Sequence, residues 1–107
     1  MTLRQEKVAG VVKKLSAQFL QIESSGQSLI TVTNCNISPD LRKATIFISV
    51  LPEKSEDFAL NFIRRKRSEI RNYIKKNTRM RVLPFIDVEL DRGEKNRQKI
   101  DEISNNS

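Results

Sequence analysis

Residues 29–51 hold two strand-length runs joined by a short link, which restricts the fold more than any other stretch of the chain. Leu29 to Ile37 (LITVTNCNI) is rich in β-branched residues, which suit a pleated surface. Ala44 to Leu51 (ATIFISVL) alternates, with Ala44, Ile46, Ile48 and Val50 on one face and Thr45, Phe47, Ser49 and Leu51 on the other. Between them stands Ser38-Pro39-Asp40-Leu41. Proline presets φ for position i+1 of a turn, and serine at position i can bond the turn's backbone. So short a link predicts an antiparallel hairpin, closed at its far end by Pro52.

Helical patterns flank the hairpin. From about residue 3 to residue 22, Val8, Val12, Leu15, Phe19 and Ile22 recur every three or four residues and share one face. Thr2 is a candidate N-cap, and Gln5 three residues later completes a capping-box pattern. Lys7 and Lys14 lie on one flank of this helix; a solvated face is favoured over a secondary phosphate contact. Residues 23–27 (ESSGQ) are a polar break and read as a loop. Beyond the hairpin, Ser55 is placed to cap a second helix, with Glu56 and Asp57 suited to the positive end of its dipole.

The inward stripe of that helix is Ala59, Phe62 or Ile63, then Ile70, Tyr73 and Ile74. At about 100° per residue, Lys66 falls in the middle of the stripe. Burying a lysine is costly unless it is paired or snorkels outward. The cheaper solution is a bend or break near residues 64–68, which would turn Arg64, Arg65, Lys66 and Arg67 outward. Asn77 and Thr78 end the helix, and Val82 to Leu90 forms the third strand, with Pro84 at its start or on an edge. Ile86, Val88 and Leu90 face the core. Residues 94–103 predict a short docking helix, and 104–107 a frayed tail. The expected architecture is one α+β domain over residues 1–103, α-β-β-α(kinked)-β, with a three-stranded sheet and helices packed on one face.

Charge is concentrated in one of these elements. Arg64 to Arg81 (RRKRSEIRNYIKKNTRMR) carries nine cations and one acid, a net +8 against +7 for the whole chain, so the remainder sums to −1. Ile70, Tyr73 and Ile74 within it argue for a folded element rather than a basic tail. A concentrated positive field on a folded element suits a polyanion, and phosphate backbones are the usual one. Candidate RNA contacts are Arg64, Arg65, Lys66, Arg67, Ser68, Arg71, Lys75, Lys76, Arg79 and Arg81. Ser68, or free amides at the break, could also meet a phosphate.

Other chemistries find little support. The chain has no His, no Gly-rich phosphate loop and no ligand cluster, so no catalytic residue, metal or cofactor is expected. Asp87, Glu89 and Asp91 share one strand face, where they read as solvent-facing acids that keep RNA off the far side of the sheet. Cys35, the single cysteine, reads as an inert packing residue and fits a reducing cytoplasm. The polar N-terminus lacks the apolar run of a signal peptide, and no run is long enough to span a bilayer. The basic helix lacks the broad apolar face with Trp or Phe that would insert into lipid, so no membrane partner is expected.

With 38–51 (SPDLRKATIFISVL) and 70–91 (IRNYIKKNTRMRVLPFIDVELD) in hand, and RQKIDEI near the end, the chain resembles the ribosome-binding factor A family from about Val8 to Ile103. The family carries the Ser-Pro-Asp-Leu turn, a basic residue, an Ala and a strand ending in Ser-Val. It then has an Arg-rich helix end, a basic-apolar-basic run, a Pro and a strand closing in Asp. The resemblance implies a type II KH-like fold and a monomer that binds the small ribosomal subunit and its precursor rRNA in late maturation, supporting rRNA processing without catalysis. Where RNA-binding KH domains have a Gly-x-x-Gly loop, this family has an Ala-x-Gly kink. The kink aligns with Lys66-Arg67-Ser68, which has neither the Ala nor the Gly. The alternative is a generic basic RNA- or DNA-binding module unrelated to ribosome assembly. With Tyr73 inward and aromatics nearly absent from the stretch, base stacking is expected to be minor and folded RNA read by shape is favoured.

Overall fold

The computed structural model describes residues 2–23, 29–80 and 83–93. Along the chain, α1 (Leu3–Glu23) leads into β1 (Leu29–Ile37) and β2 (Lys43–Leu51). A 3-10 turn at Glu53–Ser55 precedes α2 (Glu56–Arg65), α3 (Arg67–Asn77) and β3 (Phe85–Leu90). The sheet order is β1-β2-β3, with β1 antiparallel and β3 parallel to β2. Helix, hairpin, broken helix and third strand on one mixed sheet make the expected α+β, type II KH-like arrangement.

The start of α1 is held by reciprocal caps. The Thr2 amide donates to Gln5 Oε1 at 2.9 Å, and the Gln5 amide donates to Thr2 Oγ1 at 3.2 Å. The Gln5 side chain is itself buried, and its Nε2 donates to the Ile37 carbonyl at 3.0 Å, pinning the helix to the end of β1. Val12, Leu15 and Phe19 are buried as the periodicity predicts, joined by Ala9, Ser16 and Leu20. Ile22 departs from the expected burial and stays 70% exposed, although Phe19 and Leu20 just before it are buried.

In the hairpin, Ala44, Ile46, Ile48 and Val50 of β2 are all buried. A bulge at Thr33 interrupts the pairing between Val32↔Ile48 and Asn34↔Phe47. The extra residue shifts side-chain parity, so Val32 before it and Cys35 after it both meet the core. Burial pushes the Cys35 thiol up to about 11, despite the opposing pull of Lys13, which leaves it a neutral packing group.

The turn forms as read. The Leu41 amide donates to the Ser38 carbonyl at 2.9 Å, with Pro39 at the second position. Leu41 takes a positive φ of 62°, a conformation that disfavours a branched side chain, while that side chain packs against the core. Two expectations need correction. Ser55 makes no side-chain cap bond, because the 3-10 turn before α2 holds it at φ −92°, ψ 0° rather than in the extended conformation of an N-cap. The third strand begins at Phe85, three residues later than expected, with Pro84 just before it; Val82 lies outside the described residues. The expected C-terminal helix over 94–103 and the tail over 104–107 also lie outside them.

Candidate nucleic-acid interface

The long second helix breaks at Lys66, which ends α2 and starts α3. Its φ of −96° and ψ of 6° leave the helical region, and its amide donates to the Ile63 carbonyl at 2.9 Å in a tightened last turn. The Lys66 carbonyl still accepts from the Ile70 amide at 2.9 Å, so the axis changes over a single residue. Ala59 and Ile63 on one side, and Ile70 and Ile74 on the other, are all buried. The break lets both halves keep their apolar stripes on the sheet.

Lys66 does not swing fully outward. Its side chain is 29% exposed, pairs with Glu69 at 3.3 Å and lies 5.7 Å from the Phe62 ring centroid. Lysine snorkelling and pairing thus combine with the break. Arg67 is likewise half-buried, because β3 lies within its reach. Arg64 and Arg65 are exposed, as are Ser68, Arg71, Lys75, Lys76 and Arg79; Arg81 lies outside the described residues.

Three arginines form a row along β3 and the segment leading into it. Among the described residues β3 pairs only with β2, which leaves the carbonyls of its other edge to side-chain donors. Arg64 Nη2 donates to the Val88 carbonyl at 3.4 Å, Arg67 Nη1 lies 3.5 Å from Asp87 Oδ1, and Arg71 Nη2 donates to the Leu83 carbonyl at 3.3 Å. Helical spacing puts Arg67, Arg71 and Lys75, each four residues from the next, along one flank of α3, with Ser68 beside them, Arg67 at the edge of the Ile70–Ile74 stripe and Lys76 about 100° further round than Lys75. Arg64, Arg67, Arg71 and Lys75 therefore share one surface, running from the joint down α3.

Two residues outside the basic stretch join that surface. An open cleft of about 470 Å³ at the joint is lined by Arg42, Arg67, Ser68, Arg71 and Phe85 among others. Arg42 precedes β2 in sequence, and parallel pairing carries it to the start of β3, where its carbonyl accepts from the Phe85 amide at 2.7 Å. Sequence reasoning missed both residues, because a contiguous charge count cannot see a neighbour supplied by strand pairing. The detectable signal was the pairing itself: parallel β2 and β3 joined by a helical crossover bring their first residues together.

The acids on the far face of β3 have local roles. Asp87 is shared by Lys43 at 3.9 Å and Arg67 at 3.5 Å, and Asp91 accepts from Thr33 Oγ1 at 2.6 Å. Among the described residues, no group of three or more His, Cys, Asp or Glu could hold a metal ion, and no helix is long and apolar enough to cross a membrane. Tyr73 is half-buried, tilted against Phe19 with ring centroids 5.8 Å apart, and its hydroxyl bonds Gln18 Oε1 at 3.2 Å.

Comparison with known proteins places this architecture. A ribosome-binding factor A of Bdellovibrio bacteriovorus is 31% identical over 103 residues, covering 91% of this chain and 77% of that protein. The crystal structure of ribosome-binding factor A from Thermus thermophilus superposes with a TM-score of 0.73 at 21% identity, covering 82% of this chain and 97% of that one. A homology model of the Thermus thermophilus factor, fitted into an electron-cryomicroscopy map of a 30S complex, gives a TM-score of 0.67 at 21% identity, over 78% of this chain and 91% of that one. The sequence profile described as "Ribosome-binding factor A" matches residues 4–104. With nearly its whole length matched, this chain belongs to the ribosome-binding factor A family.

Proposed function

We propose that this protein is a non-catalytic assembly factor of the cytoplasm. It binds the small ribosomal subunit and its precursor rRNA as a monomer and supports rRNA processing by holding RNA rather than cutting it. The contact surface is the row of Arg64, Arg67 and Arg71 along β3, continued by Arg65, Ser68, Lys75, Lys76, Arg79 and Arg81. Family membership supports the partner, as does the related Thermus factor's placement in a 30S complex.

The observation that carries the reading is how loosely the row is held. Its contacts with Val88, Asp87 and Leu83 measure 3.3 to 3.5 Å, at or beyond the outer range of useful hydrogen bonds. A phosphate offers shorter, charge-assisted bonds of roughly twice the strength, often bidentate. Arg67 is held at its Nε by the Arg64 carbonyl at 3.0 Å, but the outer nitrogens of the row are aligned by the strand yet free to exchange weak internal partners for strong external ones.

Co-sedimentation with small subunits over a salt series tests this. If about six cations meet phosphates, raising salt from about 50 to 200 mM weakens binding about a thousandfold. Reversing Arg65 and Lys75 to Glu lowers affinity by at least about a hundredfold and flattens the salt slope by about two, with the unfolding midpoint unchanged. A slope worth one or two contacts refutes the surface. Equal binding to unrelated RNA or duplex DNA would leave only a generic basic module.

A further inference from the structure

The cleft at the joint contains a feature that a phosphate-binding ridge does not require. Phe85 is the first residue of β3 and remains 57% exposed. Its neighbours Ile86 and Val88 point into the core, so strand alternation turns Phe85 to the opposite face. Its ring is not loose: the Arg67 guanidinium carbon lies 5.7 Å from its centroid. Arg67 is fixed in turn by its Nε donating to the Arg64 carbonyl at 3.0 Å and by Asp87 at 3.5 Å. The backbone of Phe85 is locked to Arg42 by the 2.7 Å bond to its carbonyl. An oriented, solvent-facing aromatic ring thus stands in a cleft with three guanidinium groups and the Ser68 hydroxyl.

We propose that this cleft takes one unstacked nucleotide of a single-stranded RNA segment. The base lies on the open part of the Phe85 ring. Its flanking phosphates meet Arg42 on one side and Arg71 with Ser68 on the other. Arg67 holds the ring in a cation–aromatic–base stack while keeping its place in the row beside β3. A duplex fails here because its bases are already stacked and its grooves cannot present one to a recessed ring. The inference rests on the RNA-binding reading above and sharpens it: the ridge supplies strength, and the cleft selects a single-stranded site beside it.

Phe85→Trp in the full chain makes the test direct, since the protein has no tryptophan of its own. A single-stranded RNA decamer is expected to quench the new fluorescence, whereas a blunt duplex of the same sequence or an abasic decamer leaves it nearly unchanged. Phe85→Ala and Phe85→Leu should each weaken decamer binding by about tenfold, with the salt slope and duplex affinity unaltered. The leucine variant keeps an apolar side chain without a stacking face, and circular dichroism checks that both variants fold. Equal quenching by the abasic decamer, or wild-type affinity in either variant, overturns the base site while leaving the ridge in place. Failure of the ridge reading looks different: the unaltered protein would not sediment with small subunits at all.

Discussion

The turn at Ser38–Leu41 and the joint at Lys66 each interrupt regular structure at one place, but the turn is closed by its own residues alone whereas the joint adds long contacts from β3 and the segment before it to its local bonds. In the turn, Ser38 Oγ donates to Asp40 Oδ1 at 2.6 Å and accepts from the Lys43 amide at 3.0 Å, and Asp40 Oδ1 also accepts from the Arg42 amide at 3.1 Å. At the joint, local bonds from the Lys66 amide to the Ile63 carbonyl at 2.9 Å and from Arg67 Nε to the Arg64 carbonyl at 3.0 Å are joined by Leu83, Asp87 and Val88, which come from 12 to 24 residues away and meet the arginine side chains at 3.3 to 3.5 Å. Short local bonds make a rigid corner. Long contacts from a distant strand leave charged groups aligned but available, which suits a binding surface.

The largest effect expected from this contrast concerns what lies beneath the joint. Ile63 and Ile70 stand on either side of Lys66 and are fully buried. Truncating either to Ala should cost about 3 kcal/mol, within the usual span for a buried isoleucine. Denaturant unfolding measures it. A loss below about 1 kcal/mol would mean that one helical half is not clamped to the sheet, and the joint would then be a hinge instead of a fixed break.

An intermediate effect should follow from Asp87→Ala, which removes the carboxylate shared by Lys43 and Arg67. These are partly exposed pairs, so stability should fall by less than about 1 kcal/mol. RNA affinity should rise a few-fold at low salt and converge with the wild type at high salt, because a nearby negative charge is gone while Arg67 keeps its bond to the Arg64 carbonyl. Titration against small subunits at two salt concentrations reads this. Weaker binding at low salt would show that Asp87 positions Arg67 for its ligand, and the contrast between the available joint and the rigid turn would narrow.

The same contrast decides what could be read from the residues alone. The Ser-Pro-Asp-Leu turn, the Thr2–Gln5 capping box and the alternation of β2 depend on neighbours within a few positions, and all are found as read. The break was legible because Lys66 violates a 3.6-residue period, which is also a local signal. The partial burial of Arg67 was not, because it depends on Phe85 and Asp87 of β3. The bulge at Thr33 left no mark in a run of β-branched residues that suits either parity. Arg42 and Phe85 escaped because each becomes part of the surface only through the parallel pairing of β2 with β3.

The smallest effect should come from the turn, and its sign follows from Asp40. The Ser38 hydroxyl, and then the Arg42 amide, hold the Asp40 carboxyl below its ordinary value of 3.8. A group whose folded value is depressed stabilises the fold when ionised. That contribution is complete above the unfolded value and is lost as pH falls through the folded one. Asp40→Asn should therefore be less stable than the wild type at pH 6 by a small, constant margin. The margin should begin to close below about pH 4, where the unfolded carboxylate takes up its proton, and be gone once the pH has fallen through the lower folded value. The group is fully exposed, so solvent screening keeps the effect slight, and added salt should leave the hydrogen-bonded part standing. Unfolding midpoints of the two proteins from pH 6 to pH 2 give the comparison. A margin that does not change over that range would mean that the Asp40 charge does not organise the corner, and the turn's rigidity would then rest on Pro39 and the backbone bonds alone.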